Sequence, residues 1–437
     1  MGQRHKDFPS TTAGRACGAA PGRDALDRTP TRTLASGHAM TAALLLVVAL
    51  LGCRPRAVHA APAGATATEE RQHGTRARAL GVPFDGTPGP HNAITDVAGL
   101  EVGHATIIAG AGDHAVRTGV TAILPRGKRS IVPAFAGWFA LNGNGEMTGT
   151  TWIEEGGLLG GPVLLTNTNS VGVVRDAIVA WGIARFPGTD AAWELGLPVV
   201  GETYDGFLND VDGFHVTREH AFAALDSAAS GPVAEGNVGG GTGMMAYQFK
   251  GGIGTASRRL SVDAGGHTVG VLVQANYGQR DELVIAGVPV GREIADLLPV
   301  RGEPDARDGS IIVIVATDAP LLPHQLKRLA RRVPLGIGRV GGTAHNSSGD
   351  IFLALSTANA DAAAAKDGLA RAAFVPNDAL DPLLTATVQA TEEAIVNALT
   401  AAETMTGVRG STAHALPHAR LRAALKKYGR LTEGRAR

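Results

Sequence analysis

The sharpest break in the hydrophobic pattern falls at residues 343–355. Small and polar residues, Thr343-Ala344-His345-Asn346-Ser347-Ser348-Gly349-Asp350, end abruptly in five apolar ones, Ile351-Phe352-Leu353-Ala354-Leu355. An unbroken apolar run of this length predicts a strand buried on both faces, fed by a surface turn. Further apolar runs predict strands at 102–108, 119–124, 161–166, 268–274 and 310–316, with a shorter run at 197–200. Helical spacing appears elsewhere. Ser170 is placed to cap a helix carrying Val174, Ile178 and Trp181 on one face. Residues 220–225 read as helix, and 320–333 carry Leu322, Leu326, Leu329 and Val333 with Lys327, Arg328, Arg331 and Arg332 on a solvated face. After an alanine-rich stretch at 362–373, a long helix over 381–403 aligns Leu384, Val388, Thr391, Ile395 and Leu399.

The connections are rich in Gly and Asn. They include Asn142-Gly143-Asn144-Gly145-Glu146 and a turn at Gly201-Glu202-Thr203-Tyr204-Asp205-Gly206. Gly236-Asn237-Val238-Gly239-Gly240-Gly241-Thr242-Gly243 fits no Gly-x-Gly-x-x-Gly register and no Gly-Lys-Ser/Thr closes it, which predicts a structural turn with close backbone approach rather than a phosphate site. Strand, turn and helix alternate as in α/β proteins, without internal repeats or a separating linker.

Charge and cysteine narrow the picture. Forty basic and forty acidic side chains cancel over 437 residues, with no long block of one sign, so neither a nucleic-acid groove nor an anionic membrane surface is expected. Both cysteines, Cys17 and Cys53, precede residue 75, leaving no thiol for the main body. The apolar run 42–51 is too short to span a bilayer but suits a signal-peptide core. Leu50-Leu51-Gly52-Cys53 resembles a lipoprotein box, which makes Cys53 a candidate lipidation site; Val58-His59-Ala60 before Ala61 suits ordinary signal cleavage. Residues 1–75 are therefore expected to be an export segment and leader, and 76–437 a single catalytic domain, periplasmic or lipid-anchored at Cys53.

The chemistry is bounded by what is missing. No His-Glu-x-x-His, paired Cys or acidic loop offers a metal site, and no cofactor motif is present. Asn346 stands where a Gly-x-Ser-x-Gly elbow around Ser348 needs its first Gly. His345 lies three residues before Ser348, but a turn histidine is more often solvated than catalytic. A hydroxyl can also be activated by its own residue's amino group, whose pKa of about 7.7 to 8.0 leaves a fraction unprotonated near neutrality. That amine exists only after the Ser347–Ser348 bond is broken. A plain Gly/Asn/Ser turn before a core strand is the simpler reading of the same residues.

Asn346-Ser347-Ser348-Gly349-Asp350-Ile351-Phe352, followed by Leu355-Ser356-Thr357-Ala358-Asn359, resembles the autoprocessing site of the L-aminopeptidase/D-esterase family, which includes the β-peptidyl aminopeptidases. The likeness extends through Asn92-Ala93-Ile94-Thr95-Asp96-Val97, the loop from Asn142 to Gly149, the Gly236 loop and Gln274-Ala275-Asn276-Tyr277-Gly278. It implies a four-layer αββα sandwich of the Ntn-hydrolase type, cut between Ser347 and Ser348 into interleaved chains 76–347 and 348–437. It also implies Ser348 as nucleophile, Asn276 in the oxyanion hole, Thr391 and Glu393 near the nucleophile, and Glu202 and Tyr204 lining the substrate site. Glu202 would pair with the substrate's ammonium, as exopeptidase action requires. Thr391 departs from a family Ser but keeps the hydroxyl, and residues two apart on a regular helix point to nearly opposite sides. The implied substrate is a short peptide, amide or ester, and the implied assembly a homotetramer. Two other readings stand beside this one: an acyltransferase like the ornithine acetyltransferases, which cleave before Thr, and an exported binding protein without activity.

Overall fold

The computed structural model of the chain describes residues 74–300 and 309–432. The expected export segment with Cys17 and Cys53, and the loop around Pro304 and Asp305, lie outside the described residues. In chain order the strands through residue 356 are β1 (Glu101–Ala109), β2 (Val116–Leu124), β3 (Ala134–Gly143), β4 (Leu158–Leu159), β5 (Val163–Asn167), β6 (Val199–Thr203), a short hairpin of β7 (Met245–Ala246) and β8 (Phe249–Lys250), β9 (Gly252–Arg259), β10 (Thr268–Ala275), β11 (Ile311–Thr317) and β12 (Gly349–Ser356). Each run read above as a strand is one.

Two sheets result, ordered β1-β2-β5-β6 and β4-β3-β12-β11-β10-β9. Alternation along β12 shows how they stack. Ile351, Leu353 and Leu355 meet Leu165 and Val199 of the smaller sheet, while Phe352 and Ala354 turn outward to Leu326, Leu329 and Ile395 of covering helices. On the far side, Val120, Leu164 and Val200 pack under Ile178 and Trp181 of helix Val171–Arg185 and Leu225 of helix Arg218–Ser227. Each such fully buried side chain contributes about 1.5–3 kcal/mol of transfer free energy. The layers are helix, sheet, sheet, helix.

Several local readings change. β3 was not foreseen, because Gly137 interrupts its apolar pattern; a Cβ there would stand 2.4 Å from Lys327 N, so the glycine lets helix Pro323–Ala330 lie directly on the strand. The helix over 320–333 is two, Pro323–Ala330 and Val333–Arg339, since Pro334 has no N–H with which to continue the first. Glu202 lies on β6 rather than in a turn, paired with Thr166 of β5. Ser170 occupies the cap position but makes no side-chain cap bond. The Gly236 loop is a structural turn as expected: a Cβ on Gly241 would stand 2.3 Å from Ile253 N.

The long helix, Asp381–Thr400, is buried all round in its C-terminal half, which is how Thr391 and Glu393 are both inside. Their hydrogen bonds go to groups other than Ser348. Thr391 Oγ1 donates to Thr387 O (2.8 Å), and its Cβ would stand 2.6 Å from a Cβ on Gly336. Glu393 receives Arg78 Nε at 2.7 Å, Arg258 at 2.7 Å and Asn92 Nδ2 at 2.6 Å. Arg258 aligns through Val269 and Thr317 with Ser356, whereas Asp350 aligns through Ile311 and Ala275 with Gly252. The helix crosses β9 between those rows, where Gly254 lets Ala394 O approach the strand.

Burial raises the Glu393 carboxyl, but the Arg78 hydrogen bond and the charges of Arg258 and Arg78 outweigh it and hold the pKa below its usual value. A depressed folded pKa gives stability that is present above the unfolded pKa and lost as pH falls through the folded one. Glu393→Gln is expected to lower the unfolding free energy by about 3–5 kcal/mol at neutral pH, because Arg258 stays buried without its counter-charge. The deficit should shrink toward acid pH. Urea denaturation of both proteins across pH checks this.

Candidate active site

Ser348 sits at the head of β12, the strand between β3 and β11. Its surroundings are almost fully hydrogen-bonded. Ser348 N–H donates to His345 O (2.9 Å), Gly349 N–H to Ser310 Oγ (3.0 Å) and Asp350 N–H to Asn142 Oδ1 (2.8 Å). Asn142 Nδ2 donates to His345 O (2.9 Å), and Asn144 Nδ2 to Ser347 O at 2.5 Å. A bulge makes this possible: Asp350 pairs with Asn142 but Ile351 with Ala140, which leaves Leu141 without a partner and re-aims the end of β3. Ala344, at φ +56°, takes a left-handed conformation in the preceding turn. Gly349 is required because a Cβ there would stand 2.5 Å from Asn144 O.

The Ser348 hydroxyl donates to Asp350 Oδ1 at 2.6 Å, with both side chains buried. Burial pushes the Asp350 carboxyl up, opposed by hydrogen bonds from Ser348, the Ile311 backbone and Asn142. Its Oδ2 is buried without a hydrogen bond.

Residues from other elements reach the same sheet end. A Cβ on Gly145 would stand 3.2 Å from Gly349 Cα and 3.3 Å from Glu202 Oε1, so the 142–146 loop wedges between the serine strand and the Glu202 carboxylate. Glu146 N–H donates to Glu202 Oε1 (2.9 Å), and the Thr168 hydroxyl donates to Oε2. Burial raises the Glu202 carboxyl despite these two bonds. Asn276 follows the last residue of β10; its Nδ2 donates to Tyr204 O (2.8 Å) and its Oδ1 accepts Met245 N–H (2.8 Å). A primary amide has two N–H groups, so the fixed amide keeps one to offer an oxyanion. Tyr204 follows β6, and its ring closes over Gly206.

The structure gathers Ser348, Ser347, Asn276, Glu202 and Tyr204 at one end of the sheets, while Thr391 and Glu393 lie inside the covering helix, bonded to Thr387 and to Arg78, Arg258 and Asn92. The His345 ring is partly exposed and pairs with Glu282 (2.9 Å), while its backbone carbonyl holds Ser348 and Asn142. Among the described residues no group of three His, Cys, Asp or Glu could hold a metal ion. Asn142, Asn144 and Asp350 were read only as parts of motifs. Their roles arise from the bulge, which no short-range pattern encodes. A buried hydroxyl on a carboxylate, an amide on the adjacent carbonyl and a second carboxylate nearby suit attack on an acyl group close to a cation.

Known proteins bear on this geometry. The model of Peptidase family S58 matches residues 92–413. The chain is 56% identical over 386 residues to the beta-peptidyl aminopeptidase BapA of Sphingosinicella microcystinivorans, covering 84% of this chain and 95% of that one. It is 50% identical over 368 residues to BapA of Sphingosinicella xenopeptidilytica, covering 81% and 91%. Among solved structures, the L-aminopeptidase D-Ala-esterase/amidase from Ochrobactrum anthropi, described as a prototype for the serine aminopeptidases and a variant of the Ntn-hydrolase fold, superposes with a TM-score of 0.74 at 50% identity, over 82% of this chain and 99% of that one. A Burkholderia beta-aminopeptidase superposes equally, at 0.74 and 50%, over 81% and 99%. With this fold, this site and these relatives, the chain belongs to peptidase family S58, the serine aminopeptidases of the Ntn-hydrolase fold.

Proposed function

We propose that this aminopeptidase is made as a precursor that cuts itself between Ser347 and Ser348, and that Ser348 then removes N-terminal residues from short peptides, amides or esters through an acyl-enzyme. The observation that carries the reading is the placement of Gly349, the residue after Ser348, and the Glu202 carboxylate of the other sheet on either side of Gly145. An ammonium held by Glu202 puts the first acyl carbon of a peptide next to Ser348. An internal residue brings no such charge. Once cut, Ser348 carries a free amine that takes its hydroxyl proton and returns it to the leaving amine; water then releases the acyl group by the same route. Asn276 donates to the oxyanion, and Tyr204 borders the substrate.

Ser348 is 3% and Glu202 4% exposed in the continuous chain, so scission has a second effect: it frees the 343–347 segment to move off the site. The identity to two β-peptidyl aminopeptidases supports peptides with N-terminal β-residues as substrates. The family assignment favours hydrolysis over acyl transfer and over a non-catalytic role. Export, with cleavage near Ala60 or lipidation at Cys53, rests on the apolar run 42–51, and a homotetramer rests on family likeness alone.

Ser348→Ala is expected to leave one uncut chain without activity, against two chains for the parent, as read by intact mass and a peptide-amide assay. Two fragments from the variant would remove Ser348 from the mechanism. Glu202→Gln should raise KM by about tenfold to a hundredfold with a smaller fall in kcat, the loss of a charge-assisted bond of about 1.5–3 kcal/mol. Because burial raises the Glu202 carboxyl, it gains a proton and loses its pull on the ammonium as pH falls, so parental KM should rise on the acid side. Steady-state kinetics of both proteins across pH test this, with the Gln variant expected to lack that rise.

A further inference from the structure

The amine that serves turnover does not exist before scission, so the first cut needs a different base. In the continuous chain Ser348 N is an amide whose N–H donates to His345 O, and it cannot accept the hydroxyl proton. What the hydroxyl does touch is Asp350 Oδ1, at 2.6 Å. What the carbonyl to be attacked touches is Asn144 Nδ2, at 2.5 Å from Ser347 O. Glu202, the other nearby carboxylate, is engaged by Glu146 N–H and the Thr168 hydroxyl.

We infer that the protein uses two catalytic sets on one serine: Asp350 as base and Asn144 as oxyanion donor for self-cleavage, and the liberated α-amine with Asn276 for substrate. This rests on the reading of Ser348 as the self-cleaving nucleophile. As Ser348 Oγ bonds to the Ser347 carbonyl carbon, its proton passes to Asp350 and the oxygen's negative charge falls on Asn144 Nδ2–H. Asp350 then returns the proton to Ser348 N as the C–N bond breaks, which leaves Ser347 as an ester on Oγ. Water adds to that ester, yielding the Ser347 carboxylate, the free hydroxyl and the new amine. Asp350 adjoins the nucleophile through a two-residue offset on one strand, so the pair is rigid without any further element. Its second oxygen, Oδ2, is buried without a hydrogen bond.

The test follows self-cleavage of the whole chain by intact mass over time in the parent and in Asp350→Asn, Asp350→Glu, Asn144→Ala and Ser348→Ala. General-base loss is expected to slow Asp350→Asn by about a hundredfold or more, and Asp350→Glu to recover part of the rate. Loss of the donor should slow Asn144→Ala by about a hundredfold. Asn144 is on an exposed loop, so that variant decides the matter should Asp350→Asn fail to fold, as circular dichroism would show. Parental cutting rates in Asn144→Ala, or in folded Asp350→Asn, overturn the inference while an uncut Ser348→Ala keeps the functional reading intact. Scission of Ser348→Ala instead overturns the functional reading itself.

Discussion

The pairing of β12 with β3 on one side and β11 on the other is the constraint from which the site follows. Backbone hydrogen bonds from both neighbours hold Gly349 to Ser356 in the middle of the larger sheet, and both faces of the strand are covered. A serine at the head of such a strand has little freedom. The cost of ordering it has been met by the fold, so the hydroxyl and its neighbouring carbonyl are held in place before reaction. The bulge between Asp350 and Ile351 is the one irregularity in the ladder, and it is what turns Asn142 toward the serine turn.

The second sheet supplies what the first cannot. Glu202 belongs to β6, and its approach to Ser348 depends on face-to-face packing through Leu165, Val199, Ile312 and Ile351. Gln274 ties the sheets near the site, its Nε2 donating to Thr166 O and to Thr203 Oγ1, both at 2.9 Å. Buried carboxylates in this protein separate by their partners. Glu393, with two guanidinium groups and an amide, is held below its usual pKa, whereas Glu235, raised by full burial against the Arg76 guanidinium and a Thr255 backbone hydrogen bond and raised further by the Glu393 charge, is pushed up to about 7. One counter-charge does not offset complete desolvation here, and two do. The first arrangement locks helix Asp381–Thr400 to β9.

That contrast also describes Glu393 beside its neighbour Thr391. Both occur in a pattern that resembles a family site, and a buried Glu on an apolar helix looks functional in one dimension. The register of β9 through β12 puts its arginine partner at the opposite sheet end. Conversely, Asp350 and Asn144 lay in full view inside quoted motifs, yet nothing in a run of small polar residues says which amide reaches which carbonyl.

The amino-acid sequence by itself determined the strands, since unbroken apolar runs such as 310–316 and 351–355 are stable only when covered on both faces. It also marked Ser348 as the nucleophile candidate, through the resemblance of Asn346 to Phe352 to a family autoprocessing site. What tertiary structure decided was proximity between residues far apart in the chain: Glu202 beside Gly349, Asn144 on Ser347, Glu393 on Arg258. Periodicity reports which face of an element is buried. Which end of that element meets which end of another is set by strand register, a bulge and a glycine-lined approach, and these exist only once the sheets have paired.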